Sequence, residues 1–274
     1  MSTLKREEIL SINQKGWNKV APLFYGGTAL PKYGPLAQTE DELRLIPDLD
    51  GKKVLELGCG SGHTLSYLWE NRNASELWGI DFSEEQIRFT QELLEGKNIP
   101  AKLLLSSMDE NLGIPEDYFD LVVSIYSLGW TPNLLKTLKL VHSYLKPGGV
   151  FIFSWEHPVY QSLSYEASIE KYVLENSYFE EGFVLHPSWR GVEIVINHRK
   201  LSTYLNAIVQ SGLVIGRVIE SEPNIASARE QDFDPEKWYS IRRAQLIPTT
   251  FIVKAYKPTT APRPSNGPKT RSRG

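Results

Sequence analysis

The stretch Val54-Leu55-Glu56-Leu57-Gly58-Cys59-Gly60-Ser61-Gly62 decides the fold. It begins as an apolar run holding one acid, the composition of a strand buried on both faces. Three glycines at alternate positions follow, and a helix-like stretch opens near His63. A strand that passes through a glycine-rich turn into a helix brings backbone close to a ligand, because glycine takes positive φ and carries no side chain. The dinucleotide fingerprint needs a glycine three places after Gly60, where His63 stands, so the pattern is Gly-x-Gly-x-Gly. No lysine follows the turn to hold phosphates, which argues against a P-loop. Glu56 precedes the turn, and Asp81 ends the next apolar run 19 residues after Gly62. An acid at that second place accepts both hydroxyls of a ribose. One acid per end suits a ligand with a ribose and a cationic amino-acid end, and no pyrophosphate.

Outward from this stretch, short apolar runs alternate with helix-like segments. Strands are expected at residues 53–57, 77–81, 102–106, 119–125 and 149–155. A helix over 83–95 opens with a Ser-x-x-Gln cap, and one over 134–145 stops at Lys146-Pro147-Gly148-Gly149. A helix over 201–211 is ended by Gly212, and apolar runs at 213–219 and 250–256 return to the sheet. The expectation is an α/β fold: a Rossmann-like, doubly wound, mostly parallel seven-stranded sheet with helices on both faces. Residues 156–200 leave the pattern as a lid insertion before the last two strands. Residues 6–24 form an amphipathic helix containing Trp17 and ended by Tyr25-Gly26-Gly27, within a cap spanning 1–34. One domain over 1–256 and a disordered tail over 257–274, rich in Pro, Ser, Thr, Gly and basic residues, complete the chain.

Composition narrows the function classes. The chain has 274 residues and a net charge of −3, so it lacks the global basic field of a protein that wraps nucleic acid. One cysteine, Cys59, excludes an internal disulfide or a multi-cysteine metal site, and its place in the turn reads as a small tolerated side chain. No metal site is expected. No run approaches a membrane span and the first residues are polar, so a cytoplasmic protein with neither membrane nor nucleic-acid partner is expected. The aromatic share, 11% with 7 Trp and 13 Tyr, falls largely outside the sheet pattern.

Four pieces in order carry a resemblance: residues 56–62, Gly79-Ile80-Asp81-Phe82-Ser83, residues 119–124, and Leu145-Lys146-Pro147-Gly148-Gly149. Together they resemble the class I S-adenosylmethionine-dependent methyltransferases, specifically the small-molecule branch of ubiquinone and menaquinone biosynthesis enzymes (methyltransferase type 11), over about residues 17–256. The resemblance implies S-adenosylmethionine as cofactor. Gly58, Cys59, Gly60 and Gly62 would cradle its methionine part, Glu56 would lie near the amino group, Asp81 would bind the ribose, and Phe82 would lie against the adenine. Where many relatives place an acid after the third strand, the register here puts Met108, so Ser107, the backbone at Met108, or Asp109 would contact adenine. Ser124 and Tyr25 complete the expected contacts. Other readings of the acids stay open: Glu56 as a cap of the turn, Asp81 as neighbour of the helix cap at Ser83. Asp120 reads as structural.

A sulfonium methyl is already activated, so the protein's task is to position a nucleophile and exclude water. A base helps where the acceptor is a hydroxyl or a carbon acid. Strand-end geometry brings residues 124–130 and 155–158 to the site mouth. His157 is the candidate base, against a histidine that hydrogen-bonds loop backbone beside Pro158, with Tyr126 and Glu156 as further candidates. Residues 124–130 lack the Asn/Asp-Pro-Pro-aromatic run of base and amide methyltransferases, which points to a small organic acceptor at oxygen or carbon. Tyr25, Tyr33, Tyr126, Trp130, Trp155, Tyr160, Tyr178 and Trp189 are candidates to line its pocket. The rival readings are a nicotinamide-dependent dehydrogenase and a non-catalytic S-adenosylmethionine-binding module.

Overall fold

Residues alternate between two apolar faces along every central strand. In β1 (Lys53–Leu57) and β4 (Phe119–Ile125), Leu55, Leu57 and Val122 face one side while Val54, Leu121 and Val123 face the other. Burial on both faces is what a mostly parallel sheet demands, because helices cover each side. The computed structural model describes residues 4–27, 29–225 and 228–259. Seven strands form one sheet in the order β10-β11-β5-β4-β1-β2-β3, with β2 (Glu76–Asp81), β3 (Lys102–Leu105), β5 (Leu145–Glu156), β10 (Val214–Glu220) and β11 (Thr250–Tyr256) joining the two above. The five strands β1 to β5 are parallel, and β11 pairs antiparallel with both β5 and β10. From β1 the chain first builds outward through β2 and β3, then crosses to β4 and β5 on the other side. The crevice at that switch, outside the carboxyl ends of β1 and β4, is where such sheets bind ligands.

One face packs against α5 (Leu134–Tyr144) and α6 (Leu201–Gln210), through Leu138, Val141, Tyr204 and Ile208 against Phe151, Phe153 and Phe251. The other packs against α3 (His63–Arg72), α4 (Glu84–Gly96) and residues 30–49, through Leu65, Leu68, Leu94, Tyr33 and Leu45. Within that last segment a short helix, α2 (Glu40–Leu43), carries a buried Glu40 whose oxygens accept bonds from the Tyr33 hydroxyl, the Leu45 and Ile46 amides and Arg72.

The expected helix α1 is present at Arg6–Phe24. The insertion is not a loop: it forms two hairpins, β6 (Leu163–Glu166) with β7 (Lys171–Leu174) and β8 (Gly182–Trp189) with β9 (Val192–His198). β9 lies against α1. The Asn13 side chain bonds both backbone groups of Val195, donating to its oxygen at 2.9 Å and accepting from its nitrogen at 2.7 Å. Gly16 permits this approach, since a Cβ there would stand 2.7 Å from Glu193 O.

Apart from shifts of about one residue at several element ends, two boundaries differ from the sequence reading. β5 starts at Leu145 directly after α5, so Lys146-Pro147-Gly148-Gly149 lies inside the strand, where the register with β4 shifts between Phe119 and Leu121. Lys257, read as the first residue of the tail, is tied to the sheet by exchanging backbone hydrogen bonds with Gly148 and Gly149. Residues 260–274 of the expected tail lie outside the described residues.

Candidate active site

β1 delivers Glu56 to the switch point, and the turn after it is pinned by its own backbone: the Gly58 and Cys59 amides both donate to Ile80 O, at 2.7 and 2.9 Å. Gly58 has φ +69°, and a Cβ would lie 2.4 Å from that of Ser127, so neither conformation nor space admits a side chain. Gly60 has φ +54° and meets nothing nearer than Gln86 Oε1 at 3.9 Å, which leaves its backbone open to the crevice. Asp81, at the end of β2, clamps the turn from the other side. Its Oδ2 accepts from the Gly60 amide and its Oδ1 from the Ser83 amide, each at 2.9 Å. Ser83 caps α4 through its hydroxyl.

These elements border a half-open cleft whose empty space, its solvent-filled mouth included, is about 750 Å³. Of the expected cofactor residues it gathers Glu56, Gly58, Cys59, Gly60, Asp81, Phe82 and Met108, with Tyr126 on the far wall. Both acids are nearly sealed from solvent. Burial pushes Asp81 up to about 6 against the pull of its backbone bonds, and pushes Glu56 well above the usual carboxylate range. Among the described residues, four side chains of this one cleft each carry a buried atom without a hydrogen-bond partner: Glu56 Oε2, Gln86 Oε1, His63 Nε2 and Trp17 Nε1. An orphaned buried polar atom costs about 1 to 3 kcal/mol, so four on the residues of one cleft are what a bound polar ligand would relieve. A ligand amine fits Glu56 Oε2, and the open backbone at Gly60 admits a close approach, so the residues present fit S-adenosylmethionine.

Other expected contacts are placed elsewhere. Asp109 is fully buried, with its oxygens taken by Arg6, at 2.9 and 2.7 Å, and by the Ser107 hydroxyl at 2.6 Å; neither Ser107 nor Asp109 lines the cleft. Arg6 also pairs with Glu110, so the start of α1 is bolted to the loop after β3. Ser106 lines the cleft beside Met108 instead. Ser124 bonds the Ser127 hydroxyl at 2.6 Å beneath the turn. Gly62 caps α3 under Thr90, and Tyr25 packs edge-on against His63 and Phe89 at the rim. The Cys59 thiol, buried and pushed up by burial, points to Thr90. Asp120 accepts from the Lys53 amide and Lys146 Nζ, tying β4 to its neighbours.

His157 does not reach the cleft. Its Nδ1 accepts from the Val159 amide at 3.2 Å and its Nε2 lies 3.0 Å from Glu220 Oε1, so both ring nitrogens are spent on holding the turn after β5. This is the histidine bound to loop backbone beside Pro158. Tyr126 stays at the site, at φ +56°, with its hydroxyl 3.2 Å from that of Tyr239.

The aromatic wall differs from the expected set. Trp17 and Phe24 of α1 line the cleft with Tyr126 and Trp130. Trp189 stacks on Phe24 at 5.4 Å behind them, and Trp155 packs on Trp130 and Tyr126. Tyr33 and Tyr160 are core residues, donating to Glu40 and to Trp238 O, and the Tyr178 hydroxyl accepts from the Leu201 amide. Sequence reasoning missed His63, noted only as the absent third glycine, together with Gln86, Ser106 and Tyr239. Tyr239 had no local signal at all.

Comparison with known proteins decides the family. The family described as a methyltransferase domain matches residues 36–189, more than half of the chain. The chain belongs to the class I S-adenosylmethionine-dependent methyltransferases. A solved S-adenosylmethionine-dependent methyltransferase from Mesorhizobium loti superposes with a TM-score of 0.65 and 28% identity, covering 79% of this chain and 96% of that one. An uncharacterized protein of Haemophilus influenzae is 28% identical over 229 residues, 78% of this chain and 85% of its own. The fatty-acid O-methyltransferase of Mycolicibacterium smegmatis is 30% identical over 122 residues, 44% of this chain and 43% of its own, so the match spans less than half of either. The methyltransferase is thus an enzyme that uses S-adenosylmethionine. Its seven-stranded sheet is the Rossmann-like fold of these neighbours. Among the described residues no helix is long and apolar enough to cross a membrane, and no cluster of three or more His, Cys, Asp or Glu is arranged to hold a metal.

Proposed function

We propose that this methyltransferase moves the methyl group to a small, largely apolar organic acceptor at oxygen or carbon, bound between α1 and the mouth of β4. The observation that carries the reading is the lining of the cleft. It joins Glu56, Gly58, Gly60 and Asp81, which suit the cofactor, to an aromatic set of Trp17, Phe24, Tyr126 and Trp130. Apolar, aromatic walls with few convergent polar groups are the composition of small-molecule pockets.

Within this reading Glu56 binds the cofactor's amino group, Asp81 the ribose hydroxyls, and Phe82 and Met108 flank the adenine. When bound, S-adenosylmethionine supplies an activated sulfonium methyl. The protein then orients the acceptor and keeps water away, which α1 and the hairpin β8–β9 do together as a cover. Fatty-acid methylation by a relative supports an apolar acceptor with a reacting oxygen.

The test is label transfer from methyl-labelled S-adenosylmethionine to a panel of apolar acids, phenols and carbon acids, alongside calorimetry with S-adenosylhomocysteine and a nicotinamide dinucleotide. Binding of S-adenosylhomocysteine with label in an extractable small product is expected. Binding without transfer to any acceptor would favour the non-catalytic module, and tight dinucleotide binding alone would restore the dehydrogenase reading.

A further inference from the structure

A buried carboxylate near the aromatic wall is linked through Tyr239 to Tyr126, a residue that borders the cleft. Glu156, the last residue of β5, is nearly inaccessible to solvent. Its Oε2 accepts from Trp238 Nε1 at 2.7 Å and from the Tyr239 hydroxyl at 2.8 Å, and its Oε1 accepts from Gln161 Nε2 at 3.0 Å. Tyr239 therefore spends its only proton on the carboxylate. Its oxygen, 3.2 Å from that of Tyr126, is left to accept, so Tyr126 must donate in that contact. A phenol oxygen has two lone pairs, so that of Tyr126 keeps acceptor capacity beside the neighbouring Thr250 hydroxyl, and Tyr126 borders the cleft.

We propose that Tyr126, Tyr239 and Glu156 form a proton path that drains the cleft, and that the acceptor it serves is a neutral hydroxyl of the phenol or enol type. This rests on the reading of the cleft as a site for a small acceptor. As the new O–CH3 bond forms and the S–CH3 bond breaks with its electron pair going to sulfur, the acceptor O–H proton passes to the Tyr126 oxygen. The Tyr126 proton passes to Tyr239 and the Tyr239 proton to Glu156, which ends as a neutral acid. Both tyrosines finish as they began.

The surroundings match this task. Burial holds both phenols well above their usual pKa, so neither is ionised at neutral pH and the carboxylate must be the terminal acceptor. Burial also lifts Glu156 above the usual carboxylate range, against the bonds from Trp238, Gln161 and Tyr239 and the charge of Arg243, which makes it a better proton acceptor than a free carboxylate. The titratable groups facing it are Arg243 from α7 (Ile241–Ala244), Tyr160 from the turn after β5, Tyr204 from α6, and the two tyrosines of the path. Arg243 is the one permanent charge among them, lying over the Tyr160 ring at 4.0 Å. The 3.2 Å link between the phenols is long for an O–H···O bond and is expected to shorten when an acceptor fills the cleft. Tyr126 touches the acceptor; Tyr239 and Glu156 act through it.

The test compares para-nonylphenol with para-nonylbenzoate, which share a skeleton but differ in whether a proton must leave. With the wild type, phenol methylation is expected to fall as pH drops through the raised Glu156 pKa. Glu156→Gln and Tyr239→Phe are expected to lower kcat on the phenol by about 100-fold or more, abolish that acid limb, and leave benzoate methylation and S-adenosylhomocysteine affinity within about threefold, a margin of under 1 kcal/mol. Independently of activity, the Trp238 indole N–H resonance is expected to shift with pH in the wild type and to lose that shift in Glu156→Gln. Phenol methylation at the wild-type rate in both variants, equal loss on phenol and benzoate, or wild-type activity confined to the benzoate overturns the path and leaves the acceptor reading standing. Cofactor binding with no transfer to either probe or to the wider panel overturns the acceptor reading and the path with it.

Discussion

The Asp81 carboxylate holds the Gly60 amide at 2.9 Å, and through that bond the end of β2 sets the shape of the turn that follows β1. The two residues are 21 positions apart and meet because β1 and β2 are parallel neighbours in register from Lys53 and Glu76. Asp81 thus shapes the turn, and in the proposed function it binds the ligand as well. Asp81→Ala is expected to weaken S-adenosylhomocysteine binding by about 1 to 3 kcal/mol, the scale of losing bonds to a charged group. Calorimetry measures it, and unchanged affinity would refute the ribose assignment.

The same carboxylate predicts a pH dependence. Its folded pKa of about 6 lies above the usual 3.8, so the ligand-free protein binds a proton there that the unfolded chain has already lost. That raised value favours the folded state at low pH, and the advantage is lost as pH rises through about 6. A ligand whose hydroxyls bond the ionised carboxylate reverses the preference: affinity is expected to rise with pH up to about 6 and then level off. Titrations in buffers of different ionisation enthalpy should show a proton released on binding near pH 6, and Asp81→Asn should remove that release.

Asp109 separates a structural role from adenine contact. Its carboxylate is buried against Arg6, whose side chain is about one-third exposed. Asp109→Ala is expected to cost about 1 to 3 kcal/mol, less than a fully buried pair because Arg6 can turn to water. Hydrogen exchange should quicken along Arg6–Phe24. Loss of cofactor affinity with the protection of α1 unchanged would return Asp109 to the adenine site.

His157→Ala is expected to keep methyl transfer within about threefold while lowering stability by about 1 kcal/mol, the usual cost of a lost cap. Burial lowers the His157 pKa against the pull of Glu220, and the ring is engaged on both sides. A loss of turnover at full stability would restore it as the base.

Much of the glycine-turn side of the cleft was legible because its parts are local. The glycine turn, Glu56, Asp81 and Phe82 stand beside strands that the apolar runs 53–57 and 77–81 announce, and parallel pairing brings them together. Residues 107–109 were less legible. The short loop after β3 places Met108 at the cleft while Ser107 and Asp109 bond each other away from it, and the partner that claims Asp109 lies 103 positions away on α1. The aromatic wall was legible only as an aromatic surplus. The packing of Trp17 and Phe24 on Trp189 depends on β9 docking along α1 through Asn13 and Val195, which no spacing reveals.

The sequence by itself determined the sheet and its glycine turn, because a buried parallel strand and a side-chain-free turn leave direct marks on residue type. Tertiary structure alone decided which carboxylate faces what. Glu56, Asp81, Asp109 and Glu156 are all acids beside strand ends, and in sequence each can be a ligand contact. Once folded, Asp109 is neutralised by a guanidinium, Asp81 holds the turn, Glu56 keeps an oxygen without a partner, and Glu156 takes two of its three bonds from Trp238 and Tyr239, more than 80 positions further along the chain. The energy of a buried charge depends on the groups within a few ångströms, and chain distance does not record them.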